Sequence, residues 1–468
     1  MAETMTETLT EQMTEQMTEG MVTARFAAHL TTLSARWDAA LAASGHDAAI
    51  VCAGGTTYYF LDDQAHPWRP NPHFAQWVPG VDCAGSALVL RRGLAPRLLF
   101  LSPQDYWHQS PTVPSRIAAA LDVEVVNSDE TLLERARAIV GNGNIACIAE
   151  AAGALPGDLN PPRLLAHLHW NRAAKTAWEI DCMAAATARA VRGHRRAAAA
   201  WRAGASEFAI ALAYLEAADH TSAELPYHSI IASNEHGALL HYQHYDRVAP
   251  AVRRSFLIDA GATALGYAAD ITRTYVDKTA PGGDLFAALI DALDAEQQAL
   301  IRRIKPGLPY PALHESAHRA VARVLCDHGV LRCSAEAAFD TGLTRTFLPH
   351  GLGHLLGLQT HDVGGLQADI NGTPQPPPPQ YPSLRLTRTI EVDQVFTIEP
   401  GIYFIPMLLE AAAAGPHRAL LNEPTLDQLR PFGGIRIEDN VVVTATGVRN
   451  LTRDAFAEAA NTRAESAQ

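Results

Sequence analysis

The sequence predicts an α+β protein with a smaller α/β domain over residues 23–174 and a larger domain over residues 175–468. In the first part, short apolar runs rich in β-type residues alternate with helical stretches. In the second part, long helical stretches precede and separate β-rich segments. A length of 468 residues, of which 48% are hydrophobic and 19% charged, fits a globular protein of two or three domains with a large core.

Residues 1–22 stand apart from both domains. They repeat a four-residue unit that begins at Met5, Leu9, Met13 and Met17, with five Glu residues and no basic residue. Such an acidic, low-complexity composition favours a disordered tail, although the apolar positions could also form a drifting helical stripe. We assign this tail no function.

Five runs in the first domain have the length and composition of strands, and Ser128 is placed to cap a helix that runs through Ile139. The predicted strands are 48–52, 87–90, 98–101, 123–126 and 145–148. Strands that alternate with helices indicate an α/β domain.

The second domain begins near Lys175, because Thr176 and Glu179 form a capping box in front of a long Ala-rich stretch. Helices are predicted near 176–202, 206–219, 284–304 and 311–328. The segment 373–379 contains successive prolines, which enter neither a helix nor a central strand. It predicts an extended surface loop, with a ligand for a proline-binding module as the alternative.

Charge and cysteine usage exclude several classes of protein. The net charge of −13 argues against a nucleic-acid binder, since phosphate recognition needs clustered Lys and Arg. The six cysteines form no CxxC pair, which is typical of reduced thiols in a cytoplasmic protein. Neither a secretory signal nor an apolar run of about 20 residues is present, so no membrane association is predicted.

Five residues of the second domain form a candidate metal-binding set: Asp259, Asp270, His354, Glu399 and Glu438. Four carboxylates and one imidazole suit two divalent cations, because bridging carboxylates neutralise both metals and a mainly oxygen shell favours Mn²⁺-like ions. Asp259 and Asp270 are predicted on adjacent antiparallel strands near one rim. Taken singly, each acid is equally well explained as a turn, cap or strand-end residue.

His350 and His354 have the i, i+4 spacing of an HExxH zinc helix. The segment lacks the Glu base, and two glycines disfavour a helix, so that interpretation fails. Within a β-rich stretch, one histidine of the pair can reach a site while the other supports it. Glu399 and Glu438 end apolar or alternating strands, where a core-facing acid needs a metal or another positive group.

In order and chemistry, this set resembles the ligands of the pita-bread metallopeptidases, the family of methionine aminopeptidase, aminopeptidase P and prolidase. The segments 234–242, 350–354, 361–365 and 432–440 are most similar to bacterial prolidases, and the resemblance covers nearly everything after residue 23. It implies a pita-bread (creatinase/aminopeptidase-like) C-terminal catalytic domain. It also implies hydrolysis of Xaa-Pro dipeptides to an amino acid and proline by a metal-bridging hydroxide.

The resemblance implies a role for each ligand. Asp259 chelates one metal, His354 and Glu399 bind the other, and Asp270 and Glu438 bridge both. Glu399, beside the shared water, is the expected proton-transfer group.

Further residues match positions around the prolidase site. His241 and His361 match histidines that contact substrate and developing charge, and Tyr227 matches a tyrosine that hydrogen-bonds the ligand shell. Arg385 matches an arginine that faces the terminal carboxylate of the substrate, which a guanidinium binds in a bidentate pair. Arg436 lies near Glu438 and could orient the ligands. The alternative for the two histidines and Tyr227 is a buried hydrogen-bonding residue, and the alternative for Arg436 is an ordinary arginine on a surface strand.

The implied cofactors are two divalent ions, Mn²⁺ first, with Co²⁺ or Zn²⁺ as alternatives. The implied assembly is a homodimer in which Trp68 or Trp77 closes the neighbouring site, the alternative being tryptophans packed within their own domain. Competing functions are an aminopeptidase P that accepts longer peptides and a non-peptidase pita-bread protein. The latter class comprises metal-free enzymes such as creatinase and binding modules that use the fold as a scaffold. Organophosphate hydrolysis is a possible side activity.

Overall fold

The computed structural model describes residues 24–151 and 153–465. The acidic repeat of residues 1–22 lies outside the described residues. The described chain forms two compact units, one ending at Asp181 and including Asp369–Gly372, the other comprising Cys182–Ala368 and the chain from Thr373 onward. The division falls inside the helix Ala177–Arg202. The domain boundary between residues 174 and 175 stays a prediction.

The first unit contains a mixed sheet of six strands with helices. Its elements are α1 (24–44), β1 (Ala48–Cys52), α2 (Pro72–Ala75), β2 (Ala87–Arg91), β3 (Arg97–Leu101), α3 (Ser115–Ala118), β4 (Asp122–Val126), α4 (Asp129–Val140), β5 (Ile145–Ile148), β6 (Asp158–Leu159) and α5 (Pro162–Ala173). The strand order is β4-β3-β2-β1-β5-β6, with antiparallel pairing on both sides of β2 and parallel pairing elsewhere. The five predicted strands and the α/β class are confirmed.

Helix α4 shows why the sequence folds this way locally. The Ser128 hydroxyl accepts a hydrogen bond from the backbone of Thr131 at 3.2 Å, which satisfies a donor of the first turn. Leu132, Ala136 and Val140 recur at four-residue intervals, so they share one buried face. That face packs into the core formed with β1, β2 and β3.

The second unit alternates helices with short strands. Its elements are α6 (Ala177–Arg202, which begins in the first unit), α7 (Glu207–Ala218), β7 (Ile230–Ser233), β8 (Ser255–Asp259), β9 (Thr263–Ala264), β10 (Tyr267–Ala268), β11 (Thr272–Val276), α8 (Gly283–Arg302), α9 (Tyr310–Asp327), α10 (Ala335–Asp340), α11 (Thr344–Phe347), β12 (Val395–Ile398), β13 (Gly401–Tyr403), α12 (Pro406–Ala414), α13 (Glu423–Leu429), β14 (Gly434–Arg436), β15 (Asp439–Thr444), β16 (Gly447–Asn450) and α14 (Leu451–Glu465). Single 3₁₀ turns lie at Asn234–Ala238, Arg418–Leu420 and Arg430–Phe432.

The predicted helices of this unit are confirmed as α6 to α9. The capping box is present, because the Glu179 carboxylate accepts from the Thr176 backbone at 2.7 Å and the Thr176 hydroxyl accepts from the Glu179 backbone at 3.3 Å. The proline-rich segment 373–379 contains neither helix nor strand, as predicted.

Two small sheets and a two-stranded ribbon position the site. The sheets have the orders β11-β8-β7 and β12-β15-β16, and the ribbon pairs β13 with β14. A large core under α8 and α9 supports them, with Phe286, Leu293, Val321 and Leu325 fully buried. Each such side chain contributes about 1.5–3 kcal/mol by its removal from water.

Three further observations bear on the sequence predictions. Among residues 24–151 and 153–465, no helix is long and apolar enough to cross a membrane. All six cysteines are free. In the first unit Trp77 is fully buried, which agrees with packing inside its own domain, and Trp68 is half-buried.

Candidate metal centre

Two of the predicted ligands come from the β8–β11 hairpin. Asp259 is the last residue of β8 and pairs with Thr272, the first residue of β11. Asp270 lies just before β11 rather than on it. The hydroxyl of Tyr227 lies 2.7 Å from Asp259 Oδ1 and 2.5 Å from Asp270 Oδ1, so the two carboxylates share one donor.

Glu438 reaches the same place from the loop between β14 and β15. Its backbone forms an isolated bridge with Thr272, and the Thr272 hydroxyl donates to Glu438 Oε2 at 2.8 Å. One ligand atom from each of Asp270, His354 and Glu438 lies within 4.8 Å of the others, and all three residues are buried. This spacing could hold a metal ion.

His354 lies on a segment that runs beside β12. Its Nδ1 atom is 3.0 Å from the carbonyl oxygen of Leu355. Because a carbonyl only accepts, Nδ1 carries the hydrogen and the neutral ring offers a lone pair at Nε2. That Nε2 atom faces Asp270 Oδ2 at 3.4 Å and Glu399 Oε1 at 3.8 Å.

Burial and like charges oppose ionisation of these carboxylates. Burial raises the pKa of Glu399 to about 7, while His354 and Arg436 pull it down. Burial, with the charges of Asp270 and Glu399, also raises the pKa of Glu438 well above its ordinary value. Burial lowers the pKa of His354, but Asp270 and Glu399 outweigh that effect and leave it raised. The electrostatic potential at this site is therefore negative and favours the binding of a cation.

The donor set fits divalent cations. If all four acids of the set ionise in this low-dielectric pocket, the buried guanidinium of Arg436 balances one of their charges, and bound cations would balance the others. Carboxylate oxygens and one imidazole nitrogen are ligands that Mn²⁺, Co²⁺ and Zn²⁺ accept.

Arg436, on the β13–β14 ribbon, donates hydrogen bonds to the ligand Asp259 and to two neighbouring hydroxyl groups. Its Nη2 atom donates to Asp259 Oδ2 at 2.5 Å, Nη1 to the Tyr403 hydroxyl at 2.7 Å, and Nε to Thr272 Oγ1 at 3.1 Å. The guanidinium therefore contacts Asp259 at Oδ2, whereas Tyr227 contacts it at Oδ1.

His350 lies beside Glu399 and is not part of the ligand cluster. Its Nδ1 atom lies 2.8 Å from the Gly351 carbonyl and 3.6 Å from Glu399 Oε2, and its Nε2 atom lies 2.9 Å from the Tyr403 hydroxyl. Burial and the Arg436 charge lower the pKa of His350 to about 3, so it is neutral at physiological pH. A polar chain therefore links Arg436, Tyr403 and His350.

Three predicted residues lie at the accessible side of the cluster. The His361 ring is 4.4 Å from the His354 ring, and its side chain is solvent-accessible. Surrounding protein atoms, with the charges of His354 and Arg385, lower the pKa of His361 to about 4, and His241 acts in the same direction. Arg385 and His241 are exposed, and both lie near enough to His361 to lower its pKa.

Sequence reasoning missed Thr272 and Tyr403. Thr272 follows Asp270 by two residues, which places both on one face of an extended chain, so alternation could have revealed it. Tyr403 reaches the site only through the β13–β14 pairing, for which the sequence gives no signal.

Two glycines let the ligand segments approach closely. A Cβ on Gly261 would overlap the carbonyl oxygen of Ala269 and lie 2.9 Å from the Tyr227 ring. A Cβ on Gly353 would overlap the carbonyl oxygen of Thr397. Backbone therefore packs against backbone beside both Asp259 and His354.

Comparison with known proteins agrees with this geometry. Residues 181–445 match the model of metallopeptidase family M24, and residues 24–170 match the model of the Xaa-Pro dipeptidase N-terminal domain. The Xaa-Pro dipeptidase of Pseudoalteromonas atlantica is 44% identical over 435 residues, which cover 91% of this chain and 97% of that protein. The Xaa-Pro dipeptidase of Xanthomonas campestris pv. campestris (strain 8004) is 46% identical and covers 92% of this chain and 98% of its own length.

The structure resembles that of Zn-substituted E. coli aminopeptidase P in complex with product. The TM-score is 0.69 at 23% identity, covering 90% of this chain and 94% of that chain. This likeness identifies the fold, a pita-bread catalytic domain that follows a smaller α/β domain. The chain belongs to metallopeptidase family M24.

Proposed function

We propose that this chain is a metal-dependent dipeptidase that hydrolyses Xaa-Pro dipeptides to a free amino acid and proline. The observation that carries this proposal is the identity of 44–46% to Xaa-Pro dipeptidases over more than nine tenths of the chain. A match to the N-terminal domain model of that same enzyme supports it. In this proposal, residues 23–174 form the N-terminal domain and residues 175–468 the catalytic domain.

The proposed metal ligands are Asp259, Asp270, His354, Glu399 and Glu438. Two divalent cations held there would lower the pKa of a water molecule and polarise the scissile carbonyl. Mn²⁺ is the proposed metal, because most of the ligand atoms are carboxylate oxygens. Zn²⁺ and Co²⁺ remain alternatives, and the solved E. coli aminopeptidase P mentioned above is Zn-substituted.

Glu399 is the proposed proton-transfer group. Its side chain is 16% exposed, compared with 7% for Asp270 and 4% for His354, so it is the most accessible of these three ligands. A carboxylate there takes up the proton of the attacking water at Oε2 or Oε1 and delivers it to the proline nitrogen as the bond breaks.

The exposed residues account for substrate binding. His361, beside the His354 ring, donates a hydrogen bond to the oxygen on which negative charge develops. His241 faces the same region and contacts the substrate. Arg385 binds the terminal carboxylate in a bidentate pair, so a peptide that ends after proline binds more strongly than a longer one.

Aminopeptidase P is the second candidate function, because solved structures of that enzyme share the fold. Purified protein should be stripped with a chelator, reloaded with Mn²⁺ and assayed for proline release from Ala-Pro and for Ala release from Ala-Pro-Ala. We expect activity on Ala-Pro that disappears on chelation and returns with metal. A preference for Ala-Pro-Ala would instead support aminopeptidase P, and activity insensitive to chelation would contradict both.

We further propose a cytoplasmic homodimer. All six cysteines are free, as expected in a reducing compartment. Light scattering coupled to gel filtration should give twice the mass of 50.4 kDa for the protein, and a monomer mass would reject the dimer.

A further inference from the structure

The carboxylate of Glu207 is a buried hydrogen-bonding centre outside the predicted ligand set. Its side chain is 1% exposed and lies in the first turn of α7. Oε1 accepts from the backbone of Ser233 at 2.8 Å and lies 2.8 Å from His236 Nδ1. Oε2 accepts from the hydroxyl of Tyr242 at 2.7 Å and from the backbone of Asp246 at 2.9 Å. Each oxygen therefore has two donors.

These four donors belong to one stretch of chain, residues 233–246, which runs from the end of β7 toward β8. Ser233 is its first residue, Asp246 its last, and Tyr242 lies between them. The His236 ring stacks on the Tyr242 ring at 4.4 Å, which joins two of the donors to each other. One carboxylate thus fixes the start, the middle and the end of this segment.

The segment carries His241. That side chain is exposed, whereas its neighbour Tyr242 is buried and bound to Glu207. An exposed side chain follows the backbone that carries it, so the place of the His241 ring depends on the anchored Tyr242. In the proposed function the substrate lies against both His241 and His361, and the His361 ring is 4.4 Å from the ring of the proposed ligand His354.

A metal ion at Glu207 is the competing explanation. Ligand atoms of Glu207, His236 and Asp246 lie within 4.8 Å of one another. However, both Glu207 oxygens already have two protein donors each, and Asp246 is exposed. A cation would have to displace those donors, so the hydrogen-bonding role is favoured.

We propose that Glu207 is a positioning residue, which holds the segment 233–246 so that His241 reaches the substrate. The inference rests on the proposed dipeptidase function. In this role a buried acid on α7 fixes the position of a histidine that it does not contact.

The test is a double-mutant cycle on Ala-Pro hydrolysis by the Mn²⁺-loaded protein, with Glu207→Gln, His241→Ala and the double variant. Glutamine has nearly the same shape, but its amide nitrogen cannot accept the two hydrogen bonds that one carboxylate oxygen receives. We expect Glu207→Gln to lower kcat/KM by about 10- to 100-fold in the native background and by about twofold or less when His241 is already absent. Bound metal should not change.

Two control variants sharpen the test. Glu224→Gln also alters an acid that receives bonds from its own loop, at Thr221, but it leaves the segment 233–246 intact and should keep near-native kcat/KM. Tyr242→Phe removes only one of the four hydrogen bonds to Glu207. It therefore replaces Glu207→Gln in the double-mutant cycle if that variant fails to fold. We expect it to lower kcat/KM by about 3- to 10-fold, again only when His241 is present.

The outcomes separate the two proposals. Equal losses with and without His241, loss of metal from Glu207→Gln, or a Glu207→Gln variant of near-native activity would each overturn the positioning role. Inactivity of the native protein on Ala-Pro would instead overturn the proposed function and the positioning role with it.

Discussion

Replacing Tyr227 by phenylalanine removes one hydroxyl group from the centre of the candidate site and keeps the ring. That hydroxyl is the donor shared by Asp259 Oδ1 at 2.7 Å and Asp270 Oδ1 at 2.5 Å. It holds two carboxylates in a fixed mutual orientation before either binds a cation. Its loss leaves both acids freer to turn, so metal binding must supply the ordering.

The magnitude follows from the bond that is lost. A hydrogen bond to a charged group contributes about 1.5–3 kcal/mol, and each 1.4 kcal/mol corresponds to about tenfold in affinity. The loss of partners that orient metal ligands typically lowers metal affinity by about 10- to 100-fold. We therefore expect Tyr227→Phe to raise the Mn²⁺ concentration for half-maximal binding by about 10- to 100-fold.

The assay is a Mn²⁺ titration of metal-stripped protein, followed by bound metal and by proline release from Ala-Pro. Tyr245→Phe is the matched control, because its hydroxyl donates to the backbone carbonyl of Ser229 at 2.5 Å and contacts none of the predicted ligands. It should bind Mn²⁺ as the native protein does. If Tyr227→Phe bound Mn²⁺ within a factor of two of the native affinity, the ordering role would be refuted.

Three further variants test the site. Glu438→Ala should abolish proline release and lower the metal content measured by atomic absorption, because it removes a carboxylate expected to touch both cations; near-normal turnover with two bound metals would reject that role. His361→Ala should lower kcat by a factor on the order of 10² with metal content intact, as for a lost charge-stabilising donor, whereas metal loss would make His361 structural. Arg385→Ala should lower kcat/KM on Ala-Pro by about 10- to 150-fold and reduce the preference for free over amidated Ala-Pro. An unchanged preference would show that another group binds the terminal carboxylate.

Local signals in the sequence predicted much of the fold. The hydroxyl of Ser128 and the reciprocal bonds of Thr176 and Glu179 are contacts within a few residues, so their spacing is visible in the chain. Hydrophobic periodicity located the strands of the first unit and four long helices of the second.

The residues around the ligands were harder to predict. Glu207 receives bonds from residues 26 to 39 positions away, and Tyr403 meets Arg436 across 33 positions. Such partners become neighbours only when distant parts of the chain pack together, and no local pattern specifies those contacts.

The glycines at 261 and 353 restrict substitution in the ligand-bearing backbone more than in the exposed part of the site. Any side chain at either position would collide with a neighbouring backbone oxygen, so substitution there displaces the segment that carries Asp259 or His354. His241 and Arg385 are exposed and can be exchanged without such displacement. Laboratory evolution toward new peptides should therefore accumulate changes on this exposed rim, while the ligand-bearing backbone stays unchanged.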